Sequence, residues 1–405
     1  MRVLVLDGDS AAALESLQSL GRRGAQVDVA CERDDCLAFH SRYVRRRLQQ
    51  PPAYAGRDAV QWLARQDRER DYALIVPATE ASLLLLRALQ EEHPTRRKAA
   101  LPADAALDIA LDKQATLQLA ARLGIAVPAT VLIEHAAAPC ARYPVVLKSV
   151  RSRVRIDGRD VRLPAVLARD AAAHAHVLTQ WLPYTPVLQQ EFVVGHGFGI
   201  AMLFERGRPV WHFAHERLHE NPLTGGGSTY RRSIEPPPLL LQAAERLLRH
   251  LHWHGVAMVE FRGDAQRWHL MEINPRLWGS LALSIDCGVD FPWGLAMLAA
   301  GAALPALPRY RRGYYTRQVL YDVTWQKLNL RADHADALLL TRPRLRSLLE
   351  LLRPLWGAES WDHFDWRDLG IVARVLGISW GMEIERLRGR LGALRLAKQG
   401  RGARL

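Results

Sequence analysis

Cysteine is scarce in this chain of 405 residues. The four present, Cys31, Cys36, Cys140 and Cys287, form no Cys-x-x-Cys pair and no metal-ligand spacing. That excludes a disulfide framework and points to a reducing, cytoplasmic setting with inert core thiols. No run approaches the roughly 18 uninterrupted apolar residues of a membrane-spanning helix. A signal peptide is not expected, because Met1-Arg2 leads directly into a short strand-like run. The dinucleotide fingerprint Gly-x-Gly-x-x-Gly is missing, and Asp7-Gly8-Asp9 is too short to replace it. Internal repeats are lacking, and the only compositional bias is toward Arg, Ala and Leu. Acidic charge is in the minority: 42 Asp and Glu face 55 Lys and Arg, a net charge of +13. From residue 306 onward 19 basic residues face 10 acidic ones, and past Glu385 every charge is basic, from Arg386 to Arg404. Peripheral contact with an anionic membrane fits that distribution. Nucleic acid is not expected, since no recognition motif accompanies the charge.

What is present is an ordinary globular composition, 49% apolar and 24% charged, in a length that suits two or three domains. A strand over residues 2–6, a helix from Ser10 to Leu20 stopped by Gly21 and Gly24, and a strand from Gln26 to Ala30 predict a parallel sheet. Tyr72 to Pro77 adds another strand, with Thr79 and Glu80 at its carboxyl end as helix cap or ligand contact. A second, mostly antiparallel unit begins near residue 100. Asp112 is a helix N-cap there, and Gly124 and Pro128 end that helix. Then follow the strand Tyr143 to Lys148, a basic loop over 149–158, a helix near 170–182, the strand Val187 to Val194 and a hairpin from Ile200 to Ala214. A long loop over 219–236 carries Gly225-Gly-Gly227, and the helix Leu239 to Leu251 closes the unit.

Two apolar strands, Val256 to Phe261 and Trp268 to Asn274, flank a short turn and predict a hairpin. Symmetry about residue 266 sets Glu260 opposite Glu272, and like charges so placed are destabilising unless a cation lies between them. Alternation puts Leu270, Glu272 and Asn274 on one face, with His269, Met271 and Ile273 on the other. Glu260, Glu272 and the Asn274 amide oxygen form a hard ligand set suited to Mg²⁺ shared with phosphates. Two solvated glutamates are the alternative.

The run Met271-Glu-Ile-Asn-Pro-Arg276, preceded by Val259-Glu-Phe261 at this interval, resembles the metal-binding signature of the ATP-grasp superfamily. The resemblance covers roughly residues 1–300 and extends to carbamoyl-phosphate-synthetase-like and biotin-carboxylase-like members. It implies α/β and α+β architecture: a parallel, Rossmann-like pre-ATP-grasp domain over 1–100 and a two-subdomain ATP-grasp fold over 101–305. A basic, mainly helical C-terminal extension over 306–405 lies beyond it. It further implies ATP with Mg²⁺ or Mn²⁺, a small-molecule carboxylate activated as an acyl phosphate, and transfer to an amine or thiol with release of ADP. Under it, Lys113 and Lys148 contact nucleotide phosphates. Gln190 and the backbone of Glu191 and Val193 meet the adenine. Arg217, Arg276 and the glycine loop around Gly226 hold the transferred group.

Two departures stand out. The loop over 149–158 has arginines where the family carries glycines, and Gly195-His-Gly-Phe-Gly199 has no acidic residue for ribose, leaving His196 as a substitute. These departures leave a second reading open, a degenerate ATP-binding or membrane-surface protein without ligase activity. Homo-oligomers are compatible with either.

Overall fold

Short apolar runs near the N-terminus, each followed by a helix or crossover, pair as parallel strands. The computed structural model describes residues 1–52, 56–135, 142–264, 267–375 and 377. In it, β1 (Arg2–Val5), β2 (Gln26–Cys31), β3 (Val44–Gln49) and β4 (Leu74–Val76) form a parallel sheet in the order β3-β2-β1-β4. The strand pattern conceals β3, because Val44-Arg-Arg-Arg-Leu-Gln49 is a sheet edge with little to bury. The first helix runs from Ala11 to Arg22, through Gly21 where a stop was expected. Gly21 serves packing instead, since a Cβ there would lie 2.5 Å from the Tyr43 side chain.

Next come β5 (Thr130–Ile133), β6 (Val145–Ser149), β7 (Arg153–Ile156), β8 (Arg159–Arg162), β9 (Val166–Ala168) and β10 (Val187–Glu191). β5, β10, β6 and β9 make a small antiparallel sheet in that order. The expected basic loop is a hairpin, β7–β8, turned at Asp157-Gly158. Both turn residues have positive φ, 49° and 77°, the pairing a two-residue hairpin turn demands.

The large sheet comprises β11 (His196–Glu205), β12 (Arg208–Asn221), β13 (Gly227–Ile234), β14 (Gly255–Gly263), β15 (Trp268–Asn274), β16 (Tyr315–Arg317) and β17 (Glu359–Trp361), in the order β15-β14-β11-β12-β13-β16-β17. The long loop expected over 219–236 is therefore mostly strand, with a short turn over 222–226 between β12 and β13. Its glycines disguise strands whose pairing is set by neighbours on both sides. Residues 306–375 are likewise not simply helical. β16 and β17 carry the sheet past residue 305, because β13 would otherwise present an unpaired edge.

Two apolar layers sandwich this sheet. Val3, Val5, Leu14 and Val27 of the N-terminal unit share one core with Trp211, Phe213, Met258, Trp278 and Phe291. On the opposite face Val259, Phe261, Leu270 and Ile273 pack with Leu107, Leu117, Leu247 and Trp253. Residues beyond 360 return to the N-terminal unit. His363 donates from its backbone and Nδ1 to Glu15 Oε1, both at 2.9 Å, and Asp368 accepts from Ser41 and Gln18. Cys31, Cys36 and Cys287 are free and buried. Cys140 and the basic run from Arg386 to Arg404 lie outside the described residues. Among the described residues no helix is long and apolar enough to cross a membrane.

Candidate functional site

Glu260 and Glu272 pair directly across β14 and β15, as symmetry predicts, and Asn274 pairs with Met258. The alternation does not hold throughout. A register shift leaves Met271 unpaired, so Phe261 faces Leu270, and Leu270 joins Ile273 in the core with Val259 and Phe261. This bulge resets the pleat. Leu270 is therefore not on the face of Glu272; Glu272 and Asn274 share the other face with Glu260.

One in-register row crosses the sheet from His215 on β12 to Gly199 on β11, Glu260 on β14 and Glu272 on β15. Gly199 makes the row feasible, because a Cβ there would stand 2.2 Å from the His215 ring. Gly197 likewise clears space for Arg217, whose Cδ would be 2.8 Å from an added Cβ. These two glycines, in the segment that offers no acidic residue for ribose, thus serve to seat His215 and Arg217 beside the carboxylates. His196 is exposed. Burial, together with the charges of Arg217 and Arg231, pushes His215 well below the ordinary histidine range, so it is neutral.

An arginine answers Glu260. Arg217 Nη2 lies 2.5 Å from Glu260 Oε1, which also accepts from Asn274 Nδ2 at 2.8 Å. Asn274 Oδ1 accepts from Arg276 Nη2 at 3.4 Å. Among the described residues the Glu272 side chain accepts no hydrogen bond. Burial would raise its carboxyl, but the charges of Lys113, Lys148, Arg217 and Arg276 outweigh burial and hold it below the usual range. Those four residues, the first and last 163 positions apart in the chain, therefore meet around one carboxylate.

Each is placed by local structure. Asp112 caps the helix Lys113–Arg122, accepting from Ala115 N–H at 2.9 Å, and Lys113 Nζ donates to Ser152 Oγ at 2.9 Å. Lys148, on β6, donates to Gln190 Oε1 at 2.7 Å; burial pushes its ammonium down to about 8. Gln190 is committed at both ends, since its Nε2 donates to Thr130 Oγ1 at 3.1 Å. Glu191 N–H donates to Ala129 O at 2.9 Å, while Val193 lies in the link between β10 and β11 that joins the two antiparallel sheets.

Gly226 is also committed. Its N–H donates to Glu220 Oε2 at 2.9 Å and its carbonyl accepts from Arg217 Nη1 at 3.4 Å. Glu220, buried and ion-paired with Arg262, thus braces the turn. Thr79 is a helix cap, with its hydroxyl donating to Asp7 Oδ2 at 2.6 Å. Glu80 next to it faces Arg276, Lys113 and Arg153, and burial raises its carboxyl above the usual range. His215, Glu220 and Arg262 escaped the sequence reading. Only the strand period, which puts 215 and 217 on one face, hinted at the first.

Residues 185–320 match the family described as ATP-grasp in the biosynthetic pathway with Ter operon. No curated protein sequence matches the chain. Among solved structures, N5-carboxyaminoimidazole synthetase from Staphylococcus aureus is similar with a TM-score of 0.61 at 15% identity, over 80% of this chain and 84% of that one. An L-amino acid ligase from Bacillus licheniformis gives 0.56 at 16%, over 74% and 73%. Biotin carboxylase from Campylobacter jejuni gives 0.57 at 14%, over 77% and 74%.

Proposed function

We propose that this chain, an ATP-grasp protein by its fold and by the match over residues 185–320, is an ATP-dependent carboxylate–amine ligase. It activates a small carboxylate as an acyl phosphate, passes the acyl group to an amine and releases ADP and phosphate; a thiol acceptor would use the same first step. The observation that carries this reading is the surplus of charge around Glu272. Lys113, Lys148, Arg217 and Arg276 exceed what Glu260 and Glu272 require, and burial disfavours the charge of Glu80. A buried cationic surplus suits a polyanion such as a triphosphate.

The residues present fit a divalent cation as well. Glu272 has no protein donor among the described residues, and the carbonyl oxygen of Asn274 shares its face. Glu260, Glu272 and Asn274 would hold Mg²⁺ or Mn²⁺, which supplies charge neutralisation at the reacting phosphates. Lys113 and Lys148 bind phosphate oxygens, and the arginines of β7–β8 stand where the family's glycines would cover them. Arg217 and Arg276 compensate charge developing on the transferred phosphoryl and on the oxyanion of acyl transfer. Neither step needs a protein nucleophile, so positioning carries most of the rate.

Purified protein incubated with ATP, Mg²⁺ and a panel of carboxylates and amines should release ADP only when both substrates are present. Heavy-oxygen label in the carboxylate should appear in phosphate. Absence of substrate-stimulated ADP release across a broad panel would favour the degenerate, non-catalytic reading.

Lys148 also sets a pH dependence. Its ammonium is depressed to about 8, so it is charged below that pH and neutral above. The kcat/KM for ATP should fall about tenfold per unit above pH ~8. K148R should move that limb upward, since a guanidinium keeps its charge. A wild-type profile flat to pH ~10 would refute the assignment.

A further inference from the structure

The segment from Arg344 to Trp356, an α-helix (Arg344–Leu349) continued by a 3₁₀ helix (Glu350–Trp356), is inverted relative to an ordinary surface helix. Surface helices turn leucines inward and polar residues to water. Here Ser347 is fully buried and accepts from Asn329 Nδ2 at 3.2 Å, and Glu350 lies 3.2 Å from His219 Nε2 in the interior. The apolar side chains face outward: Leu345 is 71% exposed, Leu349 55%, Leu355 78% and Trp356 70%. Trp366, further along, is 76% exposed. Exposed apolar residues so concentrated mark a docking surface.

Charge is sorted in the same direction. Glu350, Glu359, Asp362 and Asp368 are all buried; the last three meet the interior Arg317, Arg231 and Ser41, while Glu350 meets the interior His219 and, at 3.7 Å, the exposed Arg346. Asp365 is ion-paired with Arg22 at 3.0 Å. Arg344, Arg346 and Arg367 remain exposed. The outward chemistry of the segment is therefore leucine, tryptophan and arginine.

We propose that this segment docks on the surface of an anionic lipid bilayer, as an interfacial contact independent of the ligase reading. Leucine and tryptophan enter the boundary between headgroups and acyl chains, and the arginines meet the anionic headgroups. A second copy of the chain is a poorer match, because an isologous contact would bring the arginines of both segments together without exposed acidic partners from either.

The full chain, sedimented with phosphatidylcholine vesicles containing about one-third phosphatidylglycerol, should partition to the pellet and do so weakly with phosphatidylcholine alone. The L355S/W356S and R344E/R346E variants should each bind the anionic vesicles about tenfold or more weakly. Thermal unfolding of L355S/W356S should match wild type, as both side chains face solvent; R344E/R346E gives up the Arg344 bonds to the Leu330 and Ala332 carbonyls and the Arg346–Glu350 pair, so its vesicle binding is read at a temperature where its circular dichroism matches wild type. No binding to anionic vesicles, or equal binding by both variants, overturns the proposal. So does a lipid-free dimer, seen by sedimentation equilibrium, that L355S/W356S dissociates.

Discussion

Replacing Glu272 by Gln should lower the rate of ADP formation by a factor of about 10²–10³, the range for loss of one preorganised electrostatic group. Gln keeps the shape and the strand pairing with Glu260. What it removes is the negative charge toward which Lys113, Lys148, Arg217 and Arg276 are all directed. The unfolding midpoint should fall modestly, because the four surrounding cations favour the ionised carboxylate in the fold and lose it in the variant. Activity within threefold of wild type, measured at saturating ATP and metal, would remove Glu272 from the site. Because its partner Glu260 is already engaged by Arg217 and Asn274, the two glutamates are not equivalent. Glu272 is the freer ligand.

The largest effect on stability is expected from Arg317→Ala. Arg317 is buried on β16, where Nε donates to Glu359 Oε1 at 2.7 Å, Nη2 donates to the Glu350 carbonyl at 3.0 Å, and Nη1 pairs with Asp322. Its guanidinium also lies over the Tyr230 ring, 3.8 Å from the centroid. Asp322 and Glu350 in turn meet the two ring nitrogens of His219, whose imidazole stacks on Trp325 at 3.4 Å. Removing one partner strands buried carboxylates, a loss of about 3–5 kcal/mol. Guanidinium denaturation should show that loss as a lower midpoint. The R317M/E359L double variant should recover part of it, since both members of the Arg317–Glu359 pair become apolar and Asp322 keeps His219. A loss below about 1 kcal/mol for Arg317→Ala would mean that this cluster does not hold the C-terminal strands to the sheet.

The hairpin pairing of Glu260 with Glu272, the cap at Asp112 and the lysine near the end of the strand Val145–Ser149 were all legible because each depends on local period or cap chemistry. Met271 shows where that ends. A bulge inserts one residue, and no two-residue alternation can announce it; only Leu270 and Ile273 competing for one core layer decides the register. Gly197 and Gly199 were legible as unusual residues but not as to purpose, because the ring that overlies Gly199 comes from a neighbouring strand. The turn over 222–226 read as loop for the same reason: its glycines carry no side chain to reveal the pairing on either side.

By itself, the sequence determined the alternation of strands and helices, the separation of parallel from antiparallel units, and the opposed carboxylates with the lysines and arginines that answer them. Hydrophobic period and charge placement are properties of neighbours along the chain, so they can be read there. Only the tertiary structure decided that Glu80, Glu220, Arg262 and His215 join that site, that β16 and β17 complete the large sheet, and that the leucines after Arg344 face outward. Those outcomes depend on which distant groups compete for the same buried space and the same charge, and that competition exists only once the chain has folded.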